Sequence, residues 1–177
     1  MPETSTDGPD KSELEYYVER FNRFGVEFMV IGGQAANLLG SDRPTFDVDL
    51  CYRRSPDNLE RLAACLRDLN VTLRNAPPDL PFQIDARSLA LGANFTFSTE
   101  LSSLDVLGHV EPIGDYDALL PNAETGEVAG EPVTVIGLDD LIRIKEHIAR
   151  QKDRDALVEL LAIKRLRAES SDGKPGS

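Results

Sequence analysis

Apolar and polar positions along the chain follow two periods, which predicts helices interspersed with short strands. A first amphipathic helix is predicted over 12–24, where Ser12 and Glu15 form a capping box and Gly25 ends the helix. A second one is predicted over 56–69, which opens with a proline, a residue favoured in the first helical turn. Both segments carry their apolar side chains on one face, so we expect each helix to pack against a common core.

Short apolar runs between these helices predict strands, because they are brief and are bounded by glycine, proline and polar residues. The predicted strands cover 26–31, 46–52, 71–73, 94–98, 103–107 and 132–136. Further helices are predicted over 34–39, 85–91, 115–120, 138–147 and 153–167, the last two as two helices or one bent helix. This order predicts one domain of the α/β (α+β) class over 12–168, with a mixed sheet flanked by helices and a helical C-terminal part. The polar segments 1–11 and 169–177 are predicted to be a disordered lead-in and tail.

Composition narrows the possible roles of the chain. Of its 177 residues, 41% are hydrophobic and 28% charged, which is ordinary for a globular domain. No apolar run approaches the roughly 20 residues that span a bilayer, and the acidic N-terminus is unlike a secretory signal, so we expect a cytoplasmic protein without membrane contact. The net charge of −12 disfavours general nucleic-acid binding. The segment 143–167 differs, with eight basic and four acidic residues, and forms either a solvated helix face or a surface that attracts phosphate.

Two aspartates separated by one valine are the most informative feature of the chain. On a strand, Asp47 and Asp49 point to one face, while Phe46, Val48 and Leu50 are predicted to point into the core. Two carboxylates on one face repel each other and lose solvation, and a cation relieves both effects. Because Mg²⁺ takes oxygen ligands and keeps positions for substrate phosphates, the pattern predicts a site for phosphate chemistry.

A third carboxylate is needed for a typical two-metal site, in which two carboxylates come from one strand and one from a neighbour. Asp105 is the candidate, since it stands alone in the strand predicted over 103–107. Its role would be to bind a second metal and to orient or deprotonate the attacking hydroxyl, and the alternative is a solvated edge-strand carboxylate. Asp85 is a weaker candidate, because we expect it to cap the helical segment that follows it.

The residues around the aspartate pair suit a phosphate ligand. Gly32 and Gly33 form a turn before a helix, where the backbone can approach a ligand closely and offer free N–H groups. Arg43 lies in the loop before the aspartates, where its guanidinium could hold a triphosphate oxygen, and Thr45 shares the face of Asp47 and Asp49. We therefore expect these four residues to form the phosphate-binding part of the site.

These motifs resemble the signature of the nucleotidyltransferase superfamily related to DNA polymerase beta, in which Gly-Gly, a spacer and Asp-x-Asp occur in this order. The stretch VIGGQAA followed by RPTFDVDL is similar to the AbiEii-type and MenT-type toxin branch, and so is LDDLIRIKEHIARQKDRDALVEL. The resemblance covers roughly 26–161. It implies that Mg²⁺ binds Asp47, Asp49 and Asp105, and that the nucleotide phosphates bind Gly32, Gly33 and Arg43. It also implies motif roles for Lys145 and Asp155, with Lys152 and Asp153 beside them.

The resemblance implies an enzyme that moves a nucleoside monophosphate from an NTP to a hydroxyl and releases pyrophosphate. Its acceptor would be tRNA or a protein, and a cognate antitoxin would be its partner. One alternative keeps the fold and takes a small molecule such as an antibiotic as acceptor. Another is a nucleotide-binding or partner-binding module without turnover, because many superfamily members have Gly-Ser where this chain has Gly-Gly. The chain is also short beside the longer toxins of the branch.

Three individual residues can be interpreted either as site residues or as purely structural ones. Lys145 is either a motif lysine whose stem covers apolar surface or an exposed helix lysine. Asp155 is either a site residue or a partner of a helix start. Cys51 shares the aspartate face by parity and could line the site, although no basic partner for a catalytic thiol is evident.

Overall fold

A mixed seven-stranded sheet forms the centre of the described part of the chain. The structure is a computed structural model that describes residues 11–74, 76, 77, 79, 82–148 and 151–172, except for the side chains of 151–153 and 172. The strands are β1 (Phe28–Ile31), β2 (Val48–Tyr52), β3 (Thr72–Leu73), β4 (Asn94–Ser98), β5 (Ser103–Leu107), β6 (Glu124–Val128) and β7 (Glu131–Val135). The helices are α1 (Glu13–Arg23), α2 (Gly32–Leu38), α3 (Pro56–Asp68), α4 (Ala86–Leu91), α5 (Tyr116–Leu119), α6 (Leu138–Ile148) and α7 (Gln151–Asp172), with a 3₁₀ turn at Leu120–Asn122. The predicted mixed α/β architecture is confirmed.

The strand order is β3-β4-β5-β2-β1-β7-β6, so β2 lies at the centre of the sheet. It runs antiparallel to β1 and parallel to β5, and β1 in turn runs parallel to β7. The register places Asp49 of β2 beside Ile31 on one side and beside Asp105 on the other. Two aspartates that are 56 positions apart in the sequence are therefore neighbours across one strand pair.

The core lies under α1 and α3, whose apolar faces are buried as their spacing predicts. Ser12 caps α1 by accepting a hydrogen bond from the Glu15 amide at 3.2 Å, and Gly25 follows the helix at a φ of +69°. The buried side chains form one continuous cluster with those of the sheet, and its largest fully buried members include Tyr17, Phe21, Leu62, Leu66 and Leu50.

Buried Asn58 ties together the outer ends of β1 and β2. Its side-chain oxygen accepts from the Glu27 amide at 2.7 Å, and its Nδ2 donates to the carbonyls of Glu27 at 3.0 Å and Arg53 at 2.7 Å. Glu27 precedes β1 and Arg53 follows β2, so one side chain of α3 holds the two strands in register. The same register places Asp49 beside Ile31 near the opposite end of β2.

Replacing Asn58 by alanine is expected to lower the free energy of unfolding by about 2 kcal/mol, because it leaves buried backbone groups without partners. Urea unfolding followed by circular dichroism measures the change. The matched control is Asn22→Ala, which removes an exposed amide bonded to Glu131 at 2.8 Å and should cost less than about 0.5 kcal/mol. Equal stability losses in the two variants would contradict the inferred role of the Asn58 hydrogen bonds in joining the two strands.

The structure differs from the predicted elements at two places near the site. Phe46 was expected in the core, but β2 begins only at Val48 and the Phe46 ring is 79% exposed. The pairings of β2 with its neighbours begin at Val48 and Asp49, so the residues before them leave the sheet and lose its alternation. Helix α2 also begins at Gly32 itself rather than after the glycine pair.

Two further differences lie away from the strand that carries the aspartates. β6 was not predicted, because ETGEV holds a single apolar residue; it pairs with β7 through a tight turn in which Ala129 and Gly130 have positive φ. Helix α7 continues to Asp172, beyond the predicted helix end at 167. The predictions for residues 1–10 and 173–177 lie outside the described residues. Among the described helices, none combines the length and the apolar character needed to cross a bilayer.

Candidate active site

The Gly32–Gly33 pair lies where β1 passes directly into α2, against the carboxylate of Asp49. A Cβ at Gly32 would stand 2.3 Å from Oδ2 of Asp49, and the φ of Gly32 is +68°, in the region that L side chains rarely adopt. Glycine is therefore required here for two reasons. The missing side chain leaves room for the carboxylate, and the turn brings the backbone against it.

Asp49 and Asp105 form a carboxylate pair across β2 and β5. Burial, together with the charge of Asp105 and a side-chain hydrogen bond to it, raises the pKa of Asp49 to about 7, and Asp47 adds to the effect while Lys145 opposes it. The raised pKa means that the negative charge of Asp49 is poorly compensated by the protein alone. A cation between these carboxylates would stabilise their charged forms.

Arg74 is the site residue that the sequence did not indicate. Its Nη2 donates to Oδ1 of Asp105 at 3.2 Å, from the turn after β3. The Arg74 amide donates to the carbonyl of Thr96 at 2.9 Å, and Thr96 lies opposite Asp105 in the β4–β5 pair. This contact depends on three adjacent strands, so it follows only from the order of the sheet, which short-range patterns do not reveal.

The loop before β2 carries Thr45 and Asp47 to the glycine turn. A Cβ at Gly33 would stand 2.6 Å from Oγ1 of Thr45, so the Thr45 hydroxyl fills the space next to the second glycine. The Asp47 side chain is exposed at the end of this loop. Glu159 of α7 holds the loop from the other side, since its carboxylate accepts from the Asp42 amide at 3.0 Å.

A polar cavity of about 310 Å³ opens beside this loop. The predicted residues that line it are Gly33, Arg43, Thr45, Asp47, Asp49 and Lys145. Ala156 and Leu160 of α7 close its far wall. We call this the polar cavity. It brings together six of the predicted site residues from three separate segments of the chain.

A second cavity of about 320 Å³, which we call the apolar cavity, is also lined by Asp49 and Lys145. Its remaining walls come from the ends of β1 and β5, the first residues of α2 and β4, the segment after β5, and α6. Most of these side chains are apolar: Ile31, Leu107, Val110, Leu141, Ile144 and Ile148. The two cavities therefore meet at Asp49 and Lys145.

The remaining predicted residues lie at different distances from these cavities. Asp105 is beside Asp49 but is not part of either lining, and Asp155 is exposed on α7 next to Ala156 of the polar cavity. The side chain of Lys152 lies outside the described residues. Cys51 is fully buried and lines neither cavity, and burial raises its pKa to about 12, so the structure does not support a role in the site. Asp85 caps α4 by accepting from the Ser88 amide at 2.7 Å, as predicted.

The arrangement of the carboxylates bears on whether a metal ion can bind. Among the described residues, no three His, Cys, Asp or Glu side chains are already gathered as ligands. The donor set nevertheless suits a hard cation, because Asp47, Asp49 and Asp105 offer only oxygens and the charge of Asp49 is poorly compensated. Binding would require Asp105 to share its contact with Arg74.

No protein-family model and no curated protein matches the chain. Solved structures, however, share its fold. The lincosamide antibiotic adenylyltransferase LnuA, in its lincomycin-bound form, superposes with a TM-score of 0.59 at 13% identity, covering 87% of this chain and 99% of that one. The antibiotic-resistance factor ANT(2″)-Ia superposes with a TM-score of 0.58 at 14% identity, covering 90% of this chain and 89% of that one.

An antigenic nucleotidyltransferase-like protein from Paracoccidioides brasiliensis superposes with a TM-score of 0.50 at 16% identity, covering 88% of this chain and 78% of that one. These identities are too low to transfer an activity, but the likeness spans most of each chain. The protein therefore has the nucleotidyltransferase fold.

Proposed function

We propose that the protein is a Mg²⁺-dependent nucleotidyltransferase that moves a nucleoside monophosphate from an NTP to a hydroxyl group. The observation that carries the proposal is the Asp49–Asp105 pair, which lies against the Gly32 turn at the point where two cavities meet. One cavity would hold the nucleotide and the other the acceptor. This arrangement suits transfer, because the attacking and leaving oxygens must lie roughly in line on opposite sides of the phosphorus.

In the proposed reaction the acceptor oxygen forms a bond to the α-phosphorus of the NTP. The bond from that phosphorus to the oxygen that bridges to the β-phosphate breaks, and pyrophosphate leaves. The hydroxyl proton passes to the Asp49–Asp105 carboxylate pair, whose two members are hydrogen-bonded to each other and of which Asp49 lines both cavities. Positioning and charge compensation supply most of the acceleration in such transfers.

The polar cavity would hold the triphosphate. The Arg43 guanidinium and the Thr45 hydroxyl would donate to phosphate oxygens, and Lys145 would place a positive charge beside Asp49. The fitting ligands for Mg²⁺ are Asp47, Asp49 and Asp105, and the ion would supply neutralisation of phosphate charge. Lys152 and Asp155, which the family resemblance places in this motif, remain predictions.

The nature of the acceptor separates the proposed functions. The resemblance to toxin nucleotidyltransferases favours tRNA or a protein, with an antitoxin as partner and ATP among the possible donors. Two of the similar folds instead belong to antibiotic-modifying proteins, one bound to lincomycin and one solved with adenylyl-2″-tobramycin. We favour a small-molecule acceptor because the side chains that line the apolar cavity are mostly apolar.

Transfer is tested by incubating the protein with each of the four α-³²P-labelled NTPs and Mg²⁺, together with total tRNA, cell protein or a small-molecule filtrate of a cell extract. We expect covalent label in one acceptor fraction, release of pyrophosphate, and loss of both when EDTA removes the metal. NTP binding by equilibrium dialysis, without transfer to any fraction, would contradict the enzyme and favour the binding module without turnover.

A further inference from the structure

The structure points to the apolar cavity as the binding site for the acceptor, which we infer to be a small hydroxyl-bearing molecule with an apolar face; the inference rests on the proposed nucleotidyl transfer. The cavity reaches the reacting carboxylates, because Asp49 and Lys145 line it as well as the polar cavity. A hydroxyl at the end lined by Asp49 would lie beside this carboxylate, whereas Arg43 and Thr45 line the polar cavity and not this one.

The size and the walls of the cavity indicate the class of molecule. A volume of about 320 Å³ lies within the range of small-molecule sites, which run from about 300 to 1,000 Å³. Leu107 at the end of β5 and Ile144 and Ile148 along α6 provide apolar walls. An apolar face of the acceptor would cover these side chains, and releasing their bound water would favour binding.

A few polar side chains could orient the acceptor. Nε2 of His109 lies 3.0 Å from Oε1 of Glu111, and this pair lines the cavity together with Asn94 and His147. The side-chain Oδ1 of Asn94 accepts from the amides of Gly108 and His109 at 3.0 Å and 3.1 Å, which holds the segment after β5 in place. Polar groups of this number in an apolar pocket are typical of sites that recognise one small ligand.

A nucleic-acid acceptor fits these walls poorly. RNA-binding surfaces gain most of their affinity by neutralising phosphates with lysine and arginine, and Lys145 is the one such residue among the described lining residues. None of the described side chains of the basic helix α7 lines this cavity. Lys164 lies 2.9 Å from Asp139 and Arg167 lies 3.1 Å from Glu124, and these residues surround a separate cavity.

The test fills the apolar cavity while the polar cavity is kept intact. Leu107→Trp is expected to lower transfer of labelled nucleotide to the small-molecule filtrate at least tenfold, with an unchanged Kd for the NTP in equilibrium dialysis. Leu91→Trp is the matched control, because Leu91 is 83% exposed and lines neither cavity, and it should transfer at the wild-type rate. If Leu107→Trp does not fold, Ile148→Trp, at the partly exposed end of α6, replaces it.

The outcomes separate this inference from the proposed function. Label in the filtrate that Leu107→Trp removes supports the acceptor site. Label only on tRNA or protein, or filtrate transfer that Leu107→Trp leaves unchanged, overturns the acceptor site but retains the nucleotidyltransferase. Absence of label in all three fractions overturns the proposed function and the acceptor site together.

Discussion

Replacing Asp49 by asparagine is expected to lower the rate of nucleotide transfer by about a thousandfold, because the lost carboxylate removes several kcal/mol of metal-dependent charge stabilisation. Asp49 is the residue at which the glycine turn, the second carboxylate and both cavities meet. Initial rates with labelled NTP and the acceptor fraction that takes label measure the loss. Transfer near the wild-type rate would contradict the assignment of the reaction to this pair.

The same variant should retain its fold, which distinguishes a chemical role from a structural one. The ionised carboxylate is unfavourable where it lies, since burial and Asp105 raise the pKa of Asp49 to about 7. Asparagine keeps the shape and removes the repulsion, so at pH 8 we expect a Tm at least equal to that of the wild type. Asp57→Asn, in the exposed first turn of α3, is the control for a surface charge and should leave transfer unchanged.

Replacing Thr45 by alanine is expected to weaken NTP binding by about tenfold to a hundredfold, which corresponds to one lost hydrogen bond to a charged phosphate. Many members of the nucleotidyltransferase superfamily, which this chain resembles, have Gly-Ser at the turn, whereas this chain has Gly32 and Gly33. The Thr45 hydroxyl occupies the space beside Gly33 that a side chain would need. We therefore expect Thr45 to supply the hydroxyl that the turn lacks. Equilibrium dialysis with Mg²⁺ and NTP measures the Kd without knowledge of the acceptor.

Gly33→Ser provides the matched comparison, because it should weaken NTP binding in the wild type and strengthen it in the Thr45→Ala variant. In the wild type the new Cβ would stand 2.6 Å from Oγ1 of Thr45, so binding should weaken. In the Thr45→Ala background the new serine can supply a hydroxyl at the same place, so NTP binding should recover in part. The loop must shift slightly for this, because the Cβ of residue 33 would stand 3.0 Å from the Cβ of residue 45. Equal losses in both backgrounds would show that the two hydroxyls are not interchangeable.

The elements that the sequence predicted well are those whose signals are local. The bounds of β4 and β5 agree with the predicted strands at 94–98 and 103–107, and α1 begins and ends at its predicted capping residues. Strand β6 was missed, because the polar stretch ETGEV resembles a loop and forms a strand only through its pairing with β7. The prediction for Phe46 is wrong because the alternation of buried and exposed side chains does not extend to residues before Val48, where β2 has no paired strand.

The chemistry available at the site follows from residues that can be recognised along the chain: two spaced aspartates, a glycine pair, an arginine and a threonine in one stretch, and a separate aspartate in a strand. These features depend on residue type and on periods of a few residues. The folded arrangement was needed to show that Asp105 faces Asp49, that Arg74 contacts Asp105, and that a second, apolar cavity shares Asp49 with the polar one. Such contacts are set by strand order and register, which join residues that are far apart in the sequence.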